Sequence, residues 1–232
     1  MYFQEIYPPG IVIRCLNVVM NMPNRVYSRL THGFGPVYDE FSETLILGSF
    51  PSARSREQGF FYGHPQNRFW KVIAAVYGEE VPGTDASADT LEKKRRMILS
   101  HGLALYDVIE ECDIIGSSDS SIRNALPADI KSIIEASRIK RILVNGRTAE
   151  KYYVKYQEKQ TGIKAIVLPS TSPANAAWHL EELTEAWRRV LQAADIQESG
   201  NRISLNGSQT HKVQRLSLNE ICSGFIIKNN KA

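Results

Sequence analysis

The run Thr44-Leu45-Ile46-Leu47-Gly48-Ser49 decides the fold. It is apolar without alternation, too short for a typical helix, and closed by Gly and Ser. A continuous apolar run bounded by turn residues is the pattern of a strand covered on both faces, as in a parallel sheet. Three further runs read the same way: 103–108, 141–145 (ended by Gly146) and 165–168. Helical spacing fills the intervals. Phe69, Trp70, Ile73, Ala74 and Tyr77 recur on one face of 67–77. Leu91, Met97, Ile98 and Leu99 lie in 91–101, with Gly102 as a stop. Pro127 near a first turn predicts a helix over 127–137. Thr148 predicts a cap for a helix whose body is 151–157. Trp178, Leu180, Leu183, Trp187, Val190 and Leu191 predict a long amphipathic helix over 175–194. Strands alternating with helices give an α/β fold, a three-layer sandwich with a short central parallel β-sheet flanked by helices.

Ligands in such folds bind beyond the carboxyl ends of the strands. That rule selects the loops after Ser49, Asp107, Asn145 and Leu168. The first continues as Phe50-Pro51-Ser52-Ala53-Arg54-Ser55, and then Gly59-Phe60-Phe61-Tyr62-Gly63-His64-Pro65-Gln66-Asn67-Arg68-Phe69-Trp70-Lys71. It is dense in Gly, Pro, aromatic and polar residues. A surface crossover whose aromatics belong to the core accounts for it equally well. The last, Pro169-Ser170-Thr171-Ser172-Pro173-Ala174-Asn175, is stiffened by two prolines, and Ser172 or Asn175 could do no more than cap the following helix.

Composition sets the outer limits. At 232 residues and 43% hydrophobic content, the chain can bury a sizeable core. A net charge of +3 neither demands nor opposes a nucleic-acid partner. Cys15, Cys112 and Cys222 show no metal-ligand spacing, so they read as free thiols of a reducing, cytoplasmic setting, and neither metal nor cofactor is expected. No run of about eighteen apolar residues predicts a membrane span. Residues 11–20 are mildly apolar, but Arg14 and Asn17 interrupt them and no small-residue cleavage site follows, so no signal peptide is expected. Met20 or Met22 is an alternative start, with 1–21 as a leader. The expected organisation is an extension over 1–26, one domain over 27–195 and a polar, flexible tail over 196–232. A monomer is expected.

The loops carry a specific resemblance. Gly48-Ser49-Phe50-Pro51-Ser52 resembles the first motif of the uracil-DNA glycosylase superfamily. Gly63-His64-Pro65-Gln66-Asn67-Arg68-Phe69-Trp70-Lys71-Val72-Ile73 is very similar to its mismatch-specific branch. Pro169-Ser170-Thr171-Ser172-Pro173-Ala174 resembles the second motif, which presses into the DNA minor groove. The likeness covers about 27–194 and is nearest to the hypoxanthine-DNA (deoxyinosine) glycosylase branch. One departure stands out: the first motif places Asp or Asn where this chain has Phe50, which can neither accept a proton nor hold a water. In the hypoxanthine-DNA branch an Asn, corresponding to Asn67 here, is thought to take over.

The resemblance implies a DNA repair enzyme that flips a deaminated base, hypoxanthine or else uracil or xanthine, out of DNA and hydrolyses its N-glycosidic bond. Asn67 would position the water, and His64 would donate to the leaving base or brace the loop. Tyr62 would stack on the base, with Phe50 and Phe61 as near alternatives. Main-chain N–H groups at Ser49 and Phe50 would face the base, and Asp107 would pair with it or fix the neighbouring loop. Ser52, Arg68, Ser170, Thr171, Ser172, Pro173 and Asn175 would meet DNA, as Lys71 could. Simpler roles compete: helix capping for Asn67, loop capping for Ser170 and Ser172, a solvated helix face for Arg68 and Lys71. No lysine is placed for a Schiff base, so strand cleavage is not expected. Two rival functions remain: a lesion-binding protein without turnover, and a small hydrolase of free nucleosides.

Overall fold

The structure, a computed structural model, describes residues 26–202, with side chains to 193. The expectations for 1–25 and 203–232 lie outside the described residues. The chain divides into two compact units, 1–187 and 188–232. Among the described residues, 26–187 belong to the first unit, and 188–202, the larger part of the final helix, to the second.

The four apolar runs form one parallel sheet. Its strands are β2 (Thr44–Gly48), β3 (Leu103–Asp107), β6 (Arg141–Asn145) and β7 (Ile166–Leu168), in the order β3-β2-β6-β7. Gly48 is level with Asp107, Leu47 with Val144, and Asn145 with Leu168. The carboxyl ends of all four strands therefore meet at one edge. Every residue of β2 and β3 is buried, which explains their unbroken hydrophobicity.

A second, antiparallel sheet has no counterpart in the sequence reading. It consists of β1 (Ser28–Thr31), β4 (Ile109–Ile114) and β5 (Arg123–Pro127), in the order β1-β4-β5. β1 and β5 are almost wholly exposed, so no apolar pattern marks them.

The helices are α1 (Ala53–Gln58), α2 (Phe69–Tyr77), α3 (Ala88–Leu99), α4 (Ile130–Glu135), α5 (Arg147–Tyr156), α6 (Glu158–Thr161) and α7 (Leu180–Arg202). α3 packs on β3 and α5 on β6. Three expected boundaries are corrected. The helix expected from Pro127 starts at Ile130 instead, because Asp129 accepts the Ser132 N–H and caps it, while Pro127 ends a strand. The α5 cap position is Gly146, with Thr148 inside the helix. The last helix starts at Leu180, not 175, because Asn175 is held in a turn closed by the Ser172 carbonyl. That helix runs to Arg202, seven residues past the expected domain end at 195.

Candidate active site

The first loop is built around a point where no side chain fits. A Cβ on Gly48 would lie 2.1 Å from Asp107 Oδ1 and 3.4 Å from the Tyr62 hydroxyl. The end of β2 thus has a carboxylate and a phenol closing over it. Asp107 is 4% exposed, and its Oδ2 lies 2.8 Å from Nε2 of the fully buried His32. The other ring nitrogen, Nδ1, lies 2.8 Å from the Phe34 carbonyl oxygen. Both ring nitrogens face oxygen acceptors. These two contacts hold the ring in place, and with it the Asp107 carboxylate over Gly48.

Tyr62 has a left-handed backbone, φ 53°, a conformation costly for a non-glycine residue. Its ring stacks on Phe69 at 3.9 Å between centroids. Its buried hydroxyl faces Asn145 and Asp107 without completing a hydrogen bond, and burial, with Asp107 nearby, pushes the phenol above its ordinary range. Asn67 makes an Asx turn at the start of α2: its Oδ1 accepts the Phe69 N–H at 2.9 Å, and its Nδ2 has no partner among the described residues. His64 is exposed, and its Nδ1 accepts the Gln66 N–H at 3.2 Å.

The second loop is clamped from two sides. On one, Asn145 at the end of β6 accepts the Thr171 N–H and donates to Thr171 Oγ1, both at 2.9 Å. Gly146 (φ 96°) lies so close that a Cβ there would sit 2.8 Å from Ser170 Cβ. On the other side, the Arg68 guanidinium donates to the carbonyls of Ser172 (2.7 Å), Asn175 (3.0 Å) and Trp178, with longer contacts to Thr171 and Ser170. The Arg68 main-chain N–H also donates to Thr171 O. The Trp187 indole holds the Pro169 carbonyl at 3.0 Å. Pro173 and Ala174 project from this frame as its exposed tip, with Ser172 half-buried beside them.

Several of the expected contact residues have partners within the protein. Asn145 holds the fully buried Thr171 through its main-chain N–H and its hydroxyl. The Arg68 guanidinium is turned to the loop carbonyls. The Phe50 and Phe61 rings are core residues, 8% and 2% exposed, and Phe50 sits edge-on to His32 with Arg56 over its face. Neither ring offers a stacking surface. The Phe50 main-chain N–H, by contrast, has no acceptor among the described residues. Ser52 caps α1 through the Ser55 N–H. Ser170 and Asn175 brace the loop through Ser170 Oγ to the Ser172 N–H and Asn175 Nδ2 to the Ser170 carbonyl. Ser49, Tyr62, Asp107, Asn67 and the second loop border the shared sheet edge.

Three residues of this region escaped the sequence reading. His32 comes from the end of β1, 75 residues before its partner. Asn145 was read only as a strand end. Asp119, on the one-turn 3-10 helix Asp119–Ser121, accepts the Ser49 hydroxyl at 2.9 Å. Among the described residues, no group of three His, Cys, Asp or Glu side chains could hold a metal ion, and no helix is long and apolar enough to cross a membrane.

Comparison with known proteins agrees with this layout. The family profile described as "Uracil DNA glycosylase superfamily" matches residues 36–191. A curated relative named hypoxanthine DNA glycosylase, from Methanosarcina acetivorans, is 32% identical over 164 residues, covering 70% of this chain and 99% of the relative. One of the same name from Methanosarcina barkeri is 31% identical over 144 residues, covering 62% and 87%. A solution NMR structure from Methanosarcina acetivorans, described there as a candidate uracil DNA glycosylase, superposes with a TM-score of 0.59 at 31% identity, covering 72% of this chain and 99% of that one. The match extends over both loops and the sheet edge between them, and the chain belongs to the uracil DNA glycosylase superfamily.

Proposed function

We propose that this protein is a monofunctional DNA glycosylase that removes a deaminated base, hypoxanthine first and uracil or xanthine less readily. The observation that carries this reading is the convergence of two rigid loops, after β2 and after β7, on one sheet edge bordered by Tyr62 and Asn67. The names of the relatives supply the preference for hypoxanthine.

A base inside a duplex is out of reach and must be extruded at about a few kcal/mol, less when it is mispaired. The rigid tip at Ser172, Pro173 and Ala174 is suited to pressing on the groove, since its frame is fixed before DNA arrives. Tyr62 receives the flipped base, and stacking contributes roughly 1–3 kcal/mol. As the N-glycosidic bond breaks, negative charge collects on the base and positive charge on the sugar. The free Phe50 N–H, with His64, answers the first. Asn67 is held by its Oδ1, which leaves Nδ2 as the working end: a donor that orients water or the leaving base but accepts no proton. We read the enzyme as a cytoplasmic monomer; the buried Cys112 thiol, free among the described residues, suits a reducing compartment.

Single-turnover excision on duplexes carrying one hypoxanthine, uracil or xanthine tests this. Asn67→Asp keeps the acceptor for the Phe69 N–H but loses the amide donor. It should slow base release at least tenfold with unchanged DNA affinity. DNA binding by the wild type with no release from any duplex would favour a lesion-binding role, which the apolar Phe50 in the first loop would suit.

A further inference from the structure

Hydrolysis needs a group that takes a proton from the attacking water. In the first loop Phe50 is apolar, Asn67 is an amide, and His64, whose Nδ1 accepts the Gln66 N–H, is given to the leaving base. Two carboxylates stand at this edge. Asp107 is buried and tied to His32. The other, Asp119, belongs to the connection between β4 and β5, and three contacts fix where that connection lies. Ser117 Oγ accepts the Ala53 N–H at 3.0 Å, Asp119 Oδ2 accepts the Ser49 hydroxyl at 2.9 Å, and the Ile122 carbonyl accepts the Tyr152 hydroxyl at 3.2 Å. Ser49 follows β2 and Tyr152 lies on the helix after β6. The turn therefore lies beside the carboxyl end of β2, against the first loop, and also touches α5. Asp119 itself is exposed, and its second carboxyl oxygen has no partner among the described residues.

We propose that Asp119 is the carboxylate that holds the attacking water and takes its proton, oriented by the Ser49 hydroxyl. This rests on the glycosylase reading above. The water oxygen bonds to the sugar C1′ as the C1′–N bond breaks. The base departs with the bonding electrons, the water proton passes to Asp119, and from there it goes to the leaving base or to solvent. The products are the free base and an abasic sugar. Asp119 is open to solvent on one side, yet the protein packed around its carboxyl partly desolvates it; with Asp107 adding to this and the Ser49 hydroxyl opposing it, the carboxyl is held above its ordinary range. The other ionisable groups that face it are Cys112 on β4 and Tyr152 on α5, and none of the three is a cation.

The experiment uses the full chain and a hypoxanthine duplex: single-turnover rate against pH, DNA affinity and thermal melting for wild type, Asp119→Asn, Asp119→Glu and Ser49→Ala. Asp119→Asn keeps an acceptor for Ser49 and should melt like the wild type. It should lose about 100-fold in rate with unchanged affinity, and Asp119→Glu should recover part of the loss. The wild-type rate should fall on the acid side with a midpoint above the ordinary aspartate value. Asp119→Asn should abolish that limb. Ser49→Ala, which removes the opposing hydrogen bond, should move it to higher pH. An Asp119→Asn rate within threefold of wild type, with the acid limb intact, overturns this role and leaves the glycosylase reading standing. A wild type that releases no base overturns both.

Discussion

Replacing Arg68 by Lys separates two accounts of the most specific stretch in the chain. Read from sequence, Arg68 is a phosphate contact. In the fold it is the clasp of the second loop, with its shorter contacts to the carbonyls of Ser172, Asn175 and Trp178. Hydrogen bonds from a charged donor contribute about 1.5–3 kcal/mol each, so three sum to about 5–9 kcal/mol before correction. The carbonyls are part-buried, and each regains some water once the fork is gone. A lysine can satisfy one of them but cannot reach all three at once. The net loss should be about 3 kcal/mol, or roughly 6–12 °C in melting temperature for a domain of this size. DNA affinity should also fall, because binding must now order a loosened loop. Its salt dependence should not change even in a companion Arg68→Gln variant, which removes the charge: a lost phosphate contact would flatten the log–log slope by about 0.9, and a lost clasp would not. Thermal melting and fluorescence anisotropy from 50 to 300 mM salt read both quantities. Unchanged melting temperatures in both variants, with a slope reduced by about one in Arg68→Gln, would refute the clasp.

Three further outcomes follow from single contacts. Gly48→Ala forces a methyl to within 2.1 Å of Asp107 Oδ1, and Asp107 cannot withdraw without leaving His32, so about 2 kcal/mol of stability and most of the excision rate should be lost in denaturant and turnover assays. Lys94 is 1% exposed on α3, its ammonium lies 5.7 Å from the Trp70 ring centroid, and burial lowers its pKa from 10.5. Lys94→Met should therefore stabilise the fold by about 1 kcal/mol at neutral pH. The sign follows from linkage: the wild type regains stability as pH rises through the lowered folded value towards 10.5, so the gap between the two proteins should close in alkaline melts. Burial pushes the Cys112 thiol up to about 11, so mass-spectrometric mapping of native protein treated with iodoacetamide at pH 8 should find Cys112 unmodified until denaturant is added.

What the sequence disclosed follows from how locally each feature is encoded. Leu45, Ile46 and Leu47 are apolar because both faces of β2 are covered, so the parallel sheet and its loops could be read from short runs. β1 and β5 are exposed, and β4 alternates weakly, so nothing in Ser28–Thr31 or Arg123–Pro127 marks them as strands. Pro127 was misread because a proline that ends a strand and one that opens a helix look alike without the neighbour strand. The partners of Arg68 lie 102 to 110 residues away, and those of His32 and Asp119 lie 75 and 70 away. No periodicity carries such pairings. They arise only when the strand ends are brought level.

The central claim is base removal at the edge shared by the two loops. Its most direct test is single-turnover incubation of the full chain with a duplex bearing one hypoxanthine, followed by chromatography of the free base and by alkaline cleavage of the strand. The account expects free hypoxanthine in equal amount to abasic sites, with the strand intact until alkali is added. No free base from hypoxanthine, uracil or xanthine duplexes, at protein concentrations that saturate binding, would contradict it.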